Sequence, residues 1–230
     1  MIRLKWITLK INANLDTLAD FFINQSFNRS SSSGFVLNLI NNEYIEGEFV
    51  QRTVHKETII RPDSSEEIIE IERFNYINFK ICYLKMDVFL VELKNPPRSL
   101  SAFLNFIHSS LTQSMIAMPV ELDVMNILNG LRRNDKLTAT KIKKIKASSI
   151  KLSLRSSATI EVQSHENAYK ELLDNFPFES IIIDYVNVSA SHNGKKVNFS
   201  IKKTGLSSDS IEVGHEVKKV IIEDLSKLDF

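Results

Sequence analysis

Apolar and polar residues alternate with period two through much of this chain, and the longest such run lies between Glu43 and Leu93. Tyr44 to Ile60 is rich in Val, Ile, Thr and aromatics and contains no proline, which predicts a strand. Gly47 marks a bulge or a close backbone approach within it. Arg61-Pro62-Asp63-Ser64-Ser65 carries turn chemistry, since proline presets φ and Asp and Ser bond locally to backbone. From Glu66 to Tyr83 the chain returns with Ile69, Ile71, Ile77, Phe79, Ile81 and Tyr83 on one parity, the signature of a buried face. Glu66, Glu70, Glu72 and Lys80 fall on the other. After the short connection Lys85-Met86-Asp87, Val88 to Leu93 puts Phe89, Val91 and Leu93 on one face. The expectation is an antiparallel meander whose first pair is long and twisted, covered on its apolar face by helices.

Ile2 to Ile11 predicts an opening strand, with Trp6 in the core. Asn14 is placed to cap a helix with Leu15, Leu18, Ala19 and Phe22 on one stripe. Phe35 to Ile40 leads into the meander. Ser99 is the expected cap of a helix carrying Leu100, Phe103, Leu104, Ile107 and Leu111. Met115 to Val124 is extended through Pro119, and a short helix runs from about Leu122 to Leu131, ending near Gly130. Leu137 to Val162 is extended around a turn at Ser156-Ser157, and Ser164 is the expected cap of a helix bearing Ala168, Leu172, Leu173 and Phe176. Two strands, Ile181 to Ala190 and Lys196 to Lys203, are joined through His192-Asn193-Gly194, where Asn-Gly is a hairpin signal. In the second of them Lys196, Asn198, Ser200 and Lys202 face out. A brief strand over Ser210 to Val213 precedes a last helix carrying Val217, Val220, Ile221, Leu225 and Leu228.

The fold class is α+β, with two units of curved antiparallel sheet, each backed by helices, over residues 1–130 and 131–230. The element orders, β-α-β-β-β-β-α and β-β-α-β-β-β-α, make the halves alike. A duplicated curved sheet crossed by helices resembles the TATA-box-binding-protein fold in element order, without a residue motif of that family.

Composition alters this picture little. The chain has 230 residues, 25% charged and 43% hydrophobic, within the range of a globular protein. Cys82 is the only cysteine, so no internal disulfide forms, which suits a reducing compartment. No apolar run approaches the ~20 residues that span a bilayer, and the N-terminus alternates instead of presenting a signal peptide. The expected setting is cytoplasmic, with no membrane partner.

Charge changes the picture more. Arg132, Arg133, Lys136, Lys141, Lys143, Lys144, Lys146, Lys151 and Arg155 face only one acid, Asp135. That is a formal +8 in 24 residues; the whole chain is +1, so the remainder carries −7. Such a segment builds a local positive potential suited to phosphate backbones. Lys141, Lys143, Lys151 and Arg155 share strand parity and would line one face of a continuous strand. Few aromatics interleave with the run, so duplex or structured nucleic acid fits it better than a single strand. The competing reading is a solvated strand face balanced by Glu66, Glu67, Glu70 and Glu72.

A second candidate is Val91-Glu92-Leu93-Lys94-Asn95-Pro96, in which Glu92 and Lys94 share a strand face. It resembles the Glu-x-Lys of PD-(D/E)xK nucleases, in particular the apolar-Glu-Leu-Lys-Asn-Pro string of restriction-type motor subunits. That resemblance implies Glu92 as a metal ligand and Lys94 as the residue orienting the attacking water. It also requires an upstream Asp, for which Asp87 is too close and Asp63 lies in a distant turn. His55, His108, His165, His192 and His215 show no zinc spacing. No glycine-rich phosphate loop or dinucleotide fingerprint occurs. No cofactor is therefore expected. The leading expectation is a non-enzymatic nucleic-acid-binding or adaptor subunit of a larger assembly, in a setting such as a mobile element or an antiviral defence locus. The alternatives are a metal-dependent nuclease and a protein–protein or self-association module.

Overall fold

In a computed structural model, residues 1–133, 137–153, 156–176 and 181–226 are described, with only the backbone of 151–153. The chain is mixed α+β, with a large antiparallel sheet and five helices among these residues. It divides into two compact units, Thr8–Met118 on one side and Met1–Ile7 with Pro119–Phe230 on the other. The strand β1 (Ile2–Ile11) gives residues to both.

In the first unit, α1 (Leu15–Asn24) starts at Asn14, whose side chain accepts from the Thr17 amide at 2.8 Å, as the sequence predicts. Strands β2 (Ser33–Ile40), β3 (Tyr44–Ile60), β4 (Glu66–Lys85) and β5 (Val88–Lys94) follow as an antiparallel meander in the order β2-β3-β4-β5, with β1 next to β5. Met86 and Asp87, both at positive φ, form the two-residue turn between β4 and β5. The core under α1 and α2 (Ser101–Ser110) is a cluster of phenylalanines: Phe22, Phe35, Phe49, Phe79 and Phe103 are buried. Phe22 and Phe35 meet edge-on with centroids 4.6 Å apart, a geometry that suits the ring quadrupole. A short strand, β6 (Met115–Pro119), pairs with β1. The α2 cap differs from expectation: Leu100 occupies the position without a side-chain bond, while Ser99 accepts from the Ser101 amide at 3.2 Å.

β3 and β4 pair from Tyr44 opposite Cys82 out to Ile60 opposite Glu66, far beyond the core. Ile77, Phe79 and Ile81 are buried as their parity predicts, but Ile69 and Tyr83 on the same parity are exposed. The outer half of the hairpin is a two-stranded arm with both faces in solvent; Ile60 is 70% and Ile68 65% exposed. The four glutamates near Ile68 and Ile69 belong to this arm, where Lys56 pairs with Glu70 at 2.7 Å, Arg52 with Glu72 at 3.4 Å, and Arg61 with Glu67. Three of the four are thus met from across the hairpin, by Arg52 and Lys56 of β3 and by Arg61 just after it.

The second unit holds α3 (Val124–Arg133), β7 (Leu137–Ser153), β8 (Ser156–Gln163), α4 (Ala168–Asn175), β9 (Ile182–His192), β10 (Lys195–Lys202), β11 (Gly205–Ser208) and α5 (Ile211–Ser226). Its strand order, β1-β11-β10-β9-β7-β8, is not that of the meander. α3, which straddles the expected boundary near Gly130 to Lys136, packs on α5, β9 and β7, with Gly130 against Val220. Ile142, Ile145, Val186, Val188, Phe199 and Ile201 form the buried side of the sheet. Asn193 (φ 50°) and Gly194 (φ 76°) make the predicted hairpin turn. Asn167, not Ser164, caps α4 by accepting from the Tyr169 amide at 3.1 Å; Ser164 bonds the Glu166 amide one turn earlier. Of the stretch expected as a strand over Ser210 to Val213, Ile211 to Val213 instead begin α5, and just before it the Ser208 hydroxyl accepts from the Ser210 amide at 3.0 Å.

Two outcomes follow. Phe35→Ala should cost the first unit ~3–5 kcal/mol. Replacing the arm between Thr53 and Arg73 with an Asn-Gly turn should leave the urea midpoint of that unit nearly unchanged, because those residues bury little. A large fall on arm removal would mean the arm supports the core.

Candidate nucleic-acid interface

The site is built by the register of β7. A continuous alternating strand would put Lys141 and Lys143 together and bury Lys144 and Lys146 with Ile142's face. β7 is not continuous in register. Against β9 it shifts between Thr138 and Lys141, between Ile142 and Lys144, and between Lys146 and Ala147. Ala139 (φ 48°) and Ser149 (φ 59°) adopt left-handed backbone within the strand, as bulges require. The extra residue at Lys143 resets the parity, so Ile142 and Ile145 both face the core, while Lys141, Lys144 and Lys146 all face away.

Cross-strand pairing extends this face, because residues directly opposite each other lie on the same side of a sheet. Lys141 stands opposite Ser189, which stands opposite Asn198. Lys144, Asn187 and Ser200 form the next row, continued by Ser207 and Arg3. Lys146, Tyr185 and Lys202 form a third, and Thr138, Ser191 and Lys196 a fourth. Two strands distant in sequence, β7 and β10, thus present lysines on either side of β9, over a floor of Ser and Asn opposite to the buried side. Lys141, Lys146, Lys196 and Lys202 are exposed and Lys144 is half-buried.

Three carboxylates moderate the field; one, Asp209, accepts from the Asn198 side chain in the Lys141 row at 3.2 Å. Glu161, opposite Lys146 on β8, pairs with Lys144 at 2.6 Å. The Lys144 hydrogen bond outweighs desolvation and, with help from Lys146, lowers the Glu161 carboxyl below its ordinary value. Desolvation pushes Asp184 up, but bonds from Ser148 and Lys203, the latter at 2.9 Å, outweigh it and leave Asp184 lowered. Among the described residues no carboxylate pairs with Lys141, Lys196 or Lys202. No protein-family model matches this chain, and no curated protein sequence matches it.

The other predicted cations are dispersed. Arg132 and Arg133 end α3, on a helix whose C-terminal dipole favours them. Lys143 is exposed at its bulge, outside the rows. Lys136 and Arg155 lie outside the described residues, as does the side chain of Lys151. Lys202, Lys196, Tyr185 and Arg3 were absent from the sequence-derived site. Outward alternation over 196–202 was the available signal, but nothing local joins it to residues 141–146.

Glu92 and Lys94 do share a face of β5, as expected. Lys80 stands directly opposite Glu92, and Glu46 opposite Lys80, at 3.6 Å between charged atoms. This row alternates in sign. Asp87 sits in the turn five residues before Glu92, roughly 17 Å along the strand, and Asp63 lies at the far tip of the arm. Among the described residues no group of three or more His, Cys, Asp or Glu is arranged to hold a metal.

The lowered Asp184 makes a pH prediction. A depressed carboxyl contributes stability that is present above its unfolded value and lost as pH falls through its folded one. Thermal unfolding followed from about pH 6 to about pH 2 should show a shallower acid-side decline in Asp184→Asn, because the variant lacks that contribution throughout. Parallel curves would contradict the pairing with Lys203 and Ser148.

Proposed function

We propose that the chain is a non-enzymatic nucleic-acid-binding subunit that docks the phosphate backbone on the open, basic face of β7, β9 and β10. The observation that supports this reading is the convergence of Lys141, Lys146 and Lys202 on one side of the sheet, opposite its apolar side. Several cations held together release several condensed counterions, which gives affinity without base contacts. Between these charges the half-buried Asn187 adds a neutral hydrogen-bonding group, as phosphate and sugar contacts use, while Ser189 and Ser200 are buried and the Asn198 side chain donates to Asp209. The exposed apolar residues of the β3–β4 arm support the further reading of a subunit or adaptor within a larger assembly, since an isolated hairpin is marginally stable in water. Helices beside antiparallel strands in both units support a duplicated, TATA-box-binding-protein-like arrangement, against which stand the different strand orders; the binding proposal does not depend on it.

Combining Lys141→Glu, Lys146→Glu and Lys202→Glu should abolish binding in fluorescence anisotropy at moderate salt. Milder Lys→Ala changes should reduce the salt slope by about 0.7–0.9 per lost contact. Glu161→Gln, which releases Lys144, should tighten binding and steepen that slope. Arg132→Glu with Arg133→Glu should have a smaller effect. Unchanged affinity in the triple glutamate variant would refute this use of the face.

A further inference from the structure

We infer that the preferred ligand is single-stranded nucleic acid, with one unpaired base stacked on Tyr185; this rests on the basic-face reading and deepens it. Tyr185 lies between Lys146 on β7 and Lys202 on β10 in a single cross-strand row. Tyr185 is half-buried, and the Lys202 ammonium lies over its ring, 5.7 Å from the centroid. An aromatic in a row between two cations can take a base on its π-face once the flexible Lys202 side chain moves from the ring to a neighbouring phosphate. The adjoining rows offer Asn187, Ser189 and Ser200, which are small and leave the ring and the lysine heads as the prominent features. A duplex keeps its bases stacked on each other and offers such a platform only phosphates, whereas an unpaired strand can turn a base onto it. The row contains an aromatic that the basic run itself lacks, because Tyr185 arrives from a strand some forty residues later in the chain.

The test is anisotropy with a fluorescent single-stranded oligothymidylate, an oligouridylate, and a duplex of the same length. Wild-type protein should prefer the single strands. Tyr185→Ala should weaken single-strand binding about 5- to 150-fold, the loss typical of one stacked base, and change duplex binding less than about 2-fold. Tyr185→Phe should bind like wild type, which separates stacking from any role of the hydroxyl, and circular dichroism should confirm that both variants fold. If Tyr185→Ala binds single strands as wild type does while the triple glutamate variant loses binding, stacking is refuted and the basic face stands. Equal losses on single strand and duplex also refute stacking. No binding by wild-type protein, or no effect of the triple variant, overturns both the stacking and the face.

Discussion

The bulged register of β7 against β9 is the constraint on which the candidate site depends. Without the extra residue at Lys143, Ile142 and Ile145 could not both reach the buried side, and the lysines between them would be divided between core and solvent. Burying an unpaired ammonium is far more costly than a local backbone irregularity. The apolar demand of Ile142, Ile145, Ala147 and Ile150 therefore sets where the strand bulges, and the charged face is its consequence. Left-handed backbone at Ala139 and Ser149 accompanies this, at residue types that do not favour it.

Charge is arranged differently in the two units. In the first, opposite signs meet across strands, in the pairs of the arm and in the Glu46–Lys80–Glu92 row. In the second, Glu161 and Asp184 engage Lys144 and Lys203, and the lysines at 141, 196 and 202 face the solvent without a carboxylate partner among the described residues. The near-neutral total of +1 hides this difference.

Much of the fold was legible because local chemistry specifies it. The opening strand Ile2–Ile11, the Asn14 cap and the Asn193-Gly194 turn are decided by residues within a few positions of one another. The protruding arm was read as strand but not as exposed, since period-two alternation at Ile69 and Ile71 looks the same whether or not a helix covers it. The site was legible only in part. A basic segment could be read from composition, but its bulges fall at Ala139, Lys143 and Ser149, where no glycine or asparagine announces them. Pairing that brings Tyr185 and Lys202 beside Lys146 is non-local, and residue spacing carries no trace of it. No helix among the described residues is long and apolar enough to cross a membrane.

On the proposed reading, lysines from β7 and β10 form one ligand-facing surface. Lysine acetylation read by mass spectrometry, with and without a saturating single-stranded oligonucleotide, tests it directly. Lys141, Lys146 and Lys202 should lose reactivity together, while Lys56 on the arm and Lys94 on β5 should not change. Protection of Lys56 or Lys94 instead, or of none of the three, would contradict it.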